Sequence, residues 1–314
     1  MFLHQVAHYL PEQVVDNEHF TKLNGLSDEW IVQRTGIQLR RKAASAENSH
    51  SMGVEAVKSL LDKIKVDISE IDLIVGATYT AYDTIVTLGH AVQHFIEVAD
   101  IPVVTISSAC SSLLNAVEVV EGYFAMNKAT KALVITSEHN TGYYNETDTV
   151  SGHLWGDGAA AMLLTKERIS KEDMEVRALV TAGAATSGKA TEAVVLRPNE
   201  RGVIMPFGRD VFINACTYMP KASQTVLEKC GLSIEDVSYV LPHQANLRIS
   251  LNVMNTLGLS EDKLISNIQH LGNTGCAGCA IGLSEHWGRF KSGEHIVVTV
   301  FGGGYSYGAM LLRK

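Results

Sequence analysis

Residues 105–114 read TISSACSSLL: the end of an apolar strand, a turn of small residues, Cys110, and then a helical run. A strand feeding a helix through so short a turn is the connection of an α/β sheet fold. The same alternation continues on both sides. Residues 71–77 (IDLIVGA), 102–106, 132–136 and 159–164 read as buried strands before the middle of the chain, and 237–241 (VSYVL), 296–300 and 309–312 after it. Between them Met52, Ala56, Leu60 and Ile64 fall on one helical face, as do Leu113, Val117, Val120 and Phe124.

The two halves of the 314 residues resemble each other. Residues 66–75 (VDISEIDLIV) align without gaps on 232–241 (LSIEDVSYVL), and 161–166 (AMLLTK) echo 309–314 (AMLLRK). The spacing is too long for a solenoid and fits two copies of one α/β unit, with the charged stretch 166–173 as the seam. The expected division is 1–166, carrying Cys110, and 167–314, carrying His243 and Asn273. These three groups then meet between the copies.

Composition narrows the function. A net charge of −8 gives nucleic-acid binding no electrostatic support. No apolar run is long enough to cross a bilayer, and residues 1–10 lack the basic and apolar regions of a signal peptide. Five cysteines, an odd and small number, read as reduced thiols of a cytoplasmic protein.

At the start of a helix, free N–H groups and the helix dipole favour a thiolate, and small neighbours leave a substrate room to approach. Cys110 therefore reads as a nucleophile, or else as a buried structural thiol. Cys276 and Cys279 form a C-x-x-C, but no second ligand pair completes a tetrahedral site, so a packed helix start explains them better than metal. Cys216 and Cys230 lie in helical patterns as core candidates. In 240–248 (VLPHQANLR) a strand ends at Pro242 and delivers His243 to its C-terminal edge, where α/β folds place working groups; an ordinary loop histidine is the alternative. Asn273 in HLGNTGCAG has glycines on both sides that let its amide approach a ligand, or it is a turn-forming residue before a helix. Residues 301–305 (FGGGY) can turn backbone N–H groups inward as an oxyanion hole, or form a tight hairpin.

The ordered set SxAC, GDGAA, PHQANLR, GNTG and FGGGYSYGAML, with YLPEQVVDN and SDEWIVQRTGI near the start, resembles the β-ketoacyl-acyl-carrier-protein synthase III family over nearly the whole chain. The resemblance implies a thiolase-like five-layer α-β-α-β-α fold of two similar halves and a homodimer. It implies an acyltransferase that joins an acyl thioester primer, carried on Cys110, to malonyl-acyl-carrier protein with loss of CO2. Its substrates are acyl-CoA and acyl-carrier-protein thioesters, and no cofactor is needed. His243 and Asn273 become neutral donors to the enolate, and the N–H groups of Cys110 and Gly303 the oxyanion hole. Trp30, Arg34 and Phe301 match substrate and CoA positions. Arg248, with Arg40, Arg41 and Lys42 behind it, is the candidate for carrier-protein docking.

Several positions depart from the family pattern. Thr149 stands where an arginine is expected over the CoA adenine, Ile85–Val86 replace a Phe-Pro pair, and 111–114 (SSLL) replace a small residue followed by Phe. These changes suggest an altered primer preference. The alternative is a specialised ketosynthase of secondary metabolism, of the resorcinol or quinolone type, using a longer or β-ketoacyl primer. A papain-type hydrolase shares the Cys-His-Asn order but not the wording around the nucleophile, and a silent partner subunit would not be expected to keep an intact triad.

Overall fold

The computed structural model describes residues 1–314. In chain order its elements are β1 (Phe2–Tyr9), β2 (Gln13–Asp16), α1 (Asn17–Asn24), α2 (Asp28–Thr35), β3 (Leu39–Lys42), α3 (Ser49–Leu61), β4 (Leu73–Ala77), α4 (Leu88–Ile96), β5 (Val103–Ile106), α5 (Ser112–Ala125), β6 (Lys131–Glu138) and β7 (Gly158–Thr165). They continue with β8 (Met174–Gly183), β9 (Val195–Arg197), β10 (Gly202–Ile204), α6 (Gly208–Lys229), β11 (Val237–Pro242), α7 (Leu247–Leu257), α8 (Ile268–Leu271), α9 (Ala277–Glu285), β12 (His295–Phe301) and β13 (Ser306–Arg313).

Nine strands form one sheet in the order β11-β12-β13-β8-β1-β7-β6-β4-β5. From the middle outward, β1-β7-β6-β4 and β8-β13-β12-β11 repeat one pattern of two antiparallel pairings followed by a parallel one. The first arm ends in β5. In the second, the corresponding edge of β11 carries only an isolated bridge from Val240 to Leu264. The arms join through Phe2–Glu175 and Leu3–Met174. The two stretches of like wording fall on equivalent pieces. Ile68–Glu70 and Ile234–Asp236 are both short 3-10 turns entering β4 and β11, and 161–166 and 309–314 lie on β7 and β13.

Five layers result. Helices α3 and α4 cover the outer face of the first arm, and α6 and α7 that of the second. Helices α5 and α9 touch strands of both arms and form the middle layer, inside the largest apolar cluster. The strands read from sequence are all present. Those missed are the two that join the arms and the two small ribbons β2–β3 and β9–β10. In β1, polar His4, Gln5 and His8 interrupt the apolar pattern, and β8 is half-exposed over much of its length. Ile64 lies beyond the end of α3 but still packs on the same outer core. Cys216 and Cys230 are half-buried against the α6–α7 core. No helix is long and apolar enough to cross a membrane.

Candidate active site

The turn after β5 is what presents Cys110. Ala109 is held at φ +49°, a left-handed conformation that costs a residue with a Cβ on the order of 1–2 kcal/mol. The Ser112 hydroxyl holds the turn from inside, accepting from the Ser108 N–H at 2.7 Å and donating to the Ala109 carbonyl at 2.6 Å. Helix α5 starts two residues after Cys110, at Ser112. From the other arm, the glycine loop after β12 lies directly on this turn. A Cβ on Gly302 would stand 2.7 Å from the Cys110 nitrogen, so only glycine allows that approach. The next residue, Gly303, turns its N–H toward the Cys110 sulfur. The loop is anchored by Tyr305, itself at φ +55°, whose hydroxyl donates to Asp210 at the start of α6.

His243 follows β11 directly, its N–H donating to the Thr299 carbonyl on β12 at 2.7 Å. Burial lowers its pKa to about 4, so the ring is neutral at physiological pH. Nδ1 is sealed from solvent without a protein partner, whereas Nε2 is not sealed. A buried bare lone pair is easier to tolerate than a buried unpaired N–H, so the proton belongs on Nε2.

Asn273 is fixed by its backbone: its N–H donates to the Leu154 carbonyl at 2.8 Å, and its carbonyl accepts from the Gly156 N–H at 3.0 Å. Its Oδ1 accepts from the Gly275 N–H at 2.9 Å, which leaves the Nδ2 donors for the cavity. The preceding Gly272, at φ +64°, makes room for the buried side chain of Arg40, which a Cβ there would meet at 2.9 Å.

The structure therefore brings Cys110, His243, Asn273, Phe301 and Gly303 to one cavity, about 40 Å³ in size. Its remaining wall is mainly apolar, from Trp155, Val194, Met205 and the α6 residues Val211, Ala215 and Met219.

The electrostatics differ from the sequence expectation at one point. Burial, followed by the nearby Glu138 carboxylate, pushes the Cys110 thiol up to about 12, not down, although the N–H groups of Gly303 and Cys110 and the Tyr79 hydroxyl act in the opposite sense. The resting Cys110 side chain is a thiol. Glu138, at the end of β6, was not singled out from sequence, although an acid closing the apolar run ALVITSE is a visible signal. It is fully buried and accepts from Cys276 Sγ (2.9 Å), the Thr80 hydroxyl (2.5 Å) and N–H (3.1 Å), the Thr78 hydroxyl (3.2 Å) and the Tyr79 N–H (3.3 Å). Burial raises its pKa to about 7 despite these donors. The tyrosine completes the floor: its hydroxyl donates to Asn140 Oδ1 at 2.7 Å, and the Asn140 amide donates to the Asn273 carbonyl at 3.2 Å.

The other predicted contacts lie off this cavity. Trp30, half-buried on α2, meets His153 edge-on at 5.4 Å, and the exposed Arg34 guanidinium sits 4.3 Å over its ring. Thr149 is exposed in a turn. Arg248 is exposed on the first turn of α7, beside the cavity residues Ala245 and Ile249. Arg40 is a correction: it is 1% exposed, with its guanidinium donating to the His153 carbonyl and Asn17 Oδ1, so it is not available for docking. Arg41 donates to the Pro11 carbonyl, and Lys42 pairs with Glu146 at 2.7 Å.

Known proteins resemble this chain over almost its whole length. The family model for 3-oxoacyl-[acyl-carrier-protein] synthase III matches residues 104–183, and the model for its C-terminal part matches 227–314. The β-ketoacyl-[acyl-carrier-protein] synthase III of Aquifex aeolicus is 34% identical over 97% of this chain and 96% of its own. The crystal structure of that organism's 3-oxoacyl-[acyl-carrier-protein] synthase III superposes with a TM-score of 0.93 at 32% identity, covering 100% of this chain and 99% of the other. A priming β-ketosynthase from the R1128 polyketide biosynthetic pathway superposes at 0.89 with 27% identity, covering 99% and 96%. With full-length likeness in sequence and in fold, the chain belongs to the β-ketoacyl-acyl-carrier-protein synthase III family of condensing acyltransferases.

Proposed function

We propose that Cys110, His243 and Asn273 carry out the family's decarboxylative condensation, and the observation that carries this is their convergence on one cavity from distant parts of the chain. The Cys110 sulfur attacks the primer thioester, and its proton leaves with the departing thiol. The N–H groups of Cys110 and Gly303 hold the oxyanion. Malonyl-acyl-carrier protein then loses CO2. The neutral His243 Nε2–H and the Asn273 amide stabilise the enolate oxygen without delivering a proton that would quench the carbanion. The enolate carbon attacks the acyl-Cys110 carbonyl, forming the carbon–carbon bond and breaking the carbon–sulfur bond; the expelled Cys110 thiolate takes a proton from water to return the thiol. No cofactor takes part.

Free space of about 40 Å³, against roughly 10–15 Å³ for one water-sized probe, favours a short primer over the long one of the resorcinol or quinolone alternative. Trp30 and Arg34 form the CoA contact, and Arg248 the acyl-carrier-protein contact. The exposed apolar side chains of Tyr82, Ile85 (84% exposed) and Val86 support a homodimer. Fatty acid biosynthesis in the cytoplasm is the setting this reading gives. The test is mass spectrometry of Cys110 after exposure to short and long acyl-CoAs, followed by malonyl-acyl-carrier protein. A short acyl adduct and a product longer by a two-carbon unit are expected. A Cys110→Ala protein with full activity, or release of free acid without elongation, rejects the reading.

A further inference from the structure

Tyr79 meets, through one hydroxyl, two of the groups that hold Asn273 in place. It lies just beyond β4, and its backbone N–H donates to the Glu138 carboxylate at 3.3 Å, as do the hydroxyls of Thr78 and Thr80 on either side. The residue is thereby pinned to the end of β6. Its hydroxyl oxygen lies 2.7 Å from Asn140 Oδ1. Asn140 is fully buried, and its Nδ2 faces two carbonyls, those of Gly156 at 2.8 Å and Asn273 at 3.2 Å. Carbonyls only accept, so the amide nitrogen must face them, the amide oxygen must face Tyr79, and the phenol proton must go to that oxygen. A chain of two donated hydrogen bonds therefore runs from Tyr79 to the Asn273 backbone.

The same hydroxyl abuts Gly275. A Cβ there would stand 2.5 Å from the Tyr79 hydroxyl oxygen, and the backbone is left-handed at φ +58°. Only glycine gives the phenol that room. The Gly275 N–H is the donor that holds Asn273 Oδ1 at 2.9 Å. Tyr79 thus reaches Asn273 by two routes, one to its carbonyl and one to its side chain. Phenylalanine would fill the same ring space but leave the buried Asn140 Oδ1 without a donor, which costs the full desolvation of that group.

We propose that Tyr79 is a positioning residue for the condensation: acting through Asn140 and against Gly275, its hydroxyl holds the Asn273 carboxamide with the Nδ2 donors toward the cavity. This rests on the reading of Asn273 as an enolate donor and places Tyr79 in the elongation half of the reaction. Tyr79 does not itself line the cavity.

The experiment follows a single turnover from acyl-Cys110, so that any influence of Tyr79 on the free thiol is bypassed. Wild-type, Tyr79→Phe, Asn273→Ala and doubly substituted proteins are loaded to completion with acetyl-CoA and freed of excess thioester. Malonyl-acyl-carrier protein is then added, and mass spectrometry follows the loss of the adduct from Cys110 and the growth of the elongated product. Tyr79→Phe is expected to lower the maximal rate by about 10- to 100-fold, as misplacing a group by about 1 Å does. The carrier-protein concentration for half-maximal rate should not change. In the Asn273→Ala background the same substitution is expected to cost less than about twofold, because the group it positions is gone. A protein with 4-aminophenylalanine at position 79, which keeps the ring and a donor, should recover most of the lost rate. Elongation by Tyr79→Phe at the wild-type rate, a loss that persists undiminished in the Asn273→Ala background, or one that the amino variant leaves unrepaired overturns the proposal. Asn273→Ala alone separates the two levels. If it elongates at the wild-type rate, the donor reading fails; if it loses rate while Tyr79→Phe does not, only the positioning role fails.

Discussion

The two arms of the sheet share strand order and pairing but bring opposite chemistry to their ends. From the first come a sulfur and, behind it, a buried carboxylate: Cys110 after β5 and Glu138 at the end of β6, with Tyr79 just beyond β4. From the second come groups that are neutral at pH 7: His243 after β11, the glycine loop after β12, and Asn273 where a fifth strand would have led. That strand is reduced to the Val240–Leu264 bridge. The chain between it and α9 is left to form the short helix α8 and the loop presenting the carboxamide. The repeat supplies the frame, and its unequal loops supply the proposed division of labour: one side to carry the acyl group, and the other to stabilise charge that appears during reaction.

The hardest test of that division is to remove the donors. His243→Ala and Asn273→Ala are each expected to lower condensation turnover by about 100- to 1,000-fold. Acyl loading of Cys110, whose oxyanion is held by backbone N–H groups, should survive in both. Single-turnover loading and steady-state elongation, measured on the same preparations, separate the two steps. Equal losses in both would erase the distinction between the arms. A smaller effect is expected where the arms touch. A methyl group on Gly302 must push the loop off the Cys110 backbone. A displacement on the order of 1 Å costs about 100-fold when it misaligns reacting groups, so Gly302→Ala should lose between about 10- and 100-fold in loading itself. Unchanged loading would show that the loop is not held against the turn.

Much of this was legible in the residues. The strand–turn–helix at Cys110, the strand end at His243 and the glycines beside Asn273 are local patterns, and each was readable because one short segment contains it. The strands missed, β1 and β8, are interrupted by polar groups or exposed along one side, and they become recognisable only through pairing with distant partners. Glu138 and Tyr79 escaped for the same reason: an acid after an apolar run, or a tyrosine just past a strand, becomes informative only when the fold shows what surrounds it. The helix-start argument for a low-pKa thiol failed because it counted the local dipole and could not see the desolvation or the carboxylate behind the sulfur.

That carboxylate gives the gentlest test of the comparison. With a pKa near 7, Glu138 is neutral in mildly acidic solution and charged above neutrality, where its charge opposes formation of the Cys110 thiolate. Glu138→Gln keeps an acceptor for the Thr80 donors and removes the charge. Below pH 7 the variant and wild-type proteins should react alike with iodoacetamide at Cys110, since both then have a neutral group in that position. Above pH 7 the variant should react about 3- to 10-fold faster, because a like charge nearby has been removed and the thiol pKa falls. In both proteins the rate should keep rising past pH 10, as a thiol pushed up to about 12 requires. A plateau near pH 8, or a variant that is slower at every pH, would mean that the first arm supplies a ready-made thiolate and that the buried acid serves only the packing of its floor.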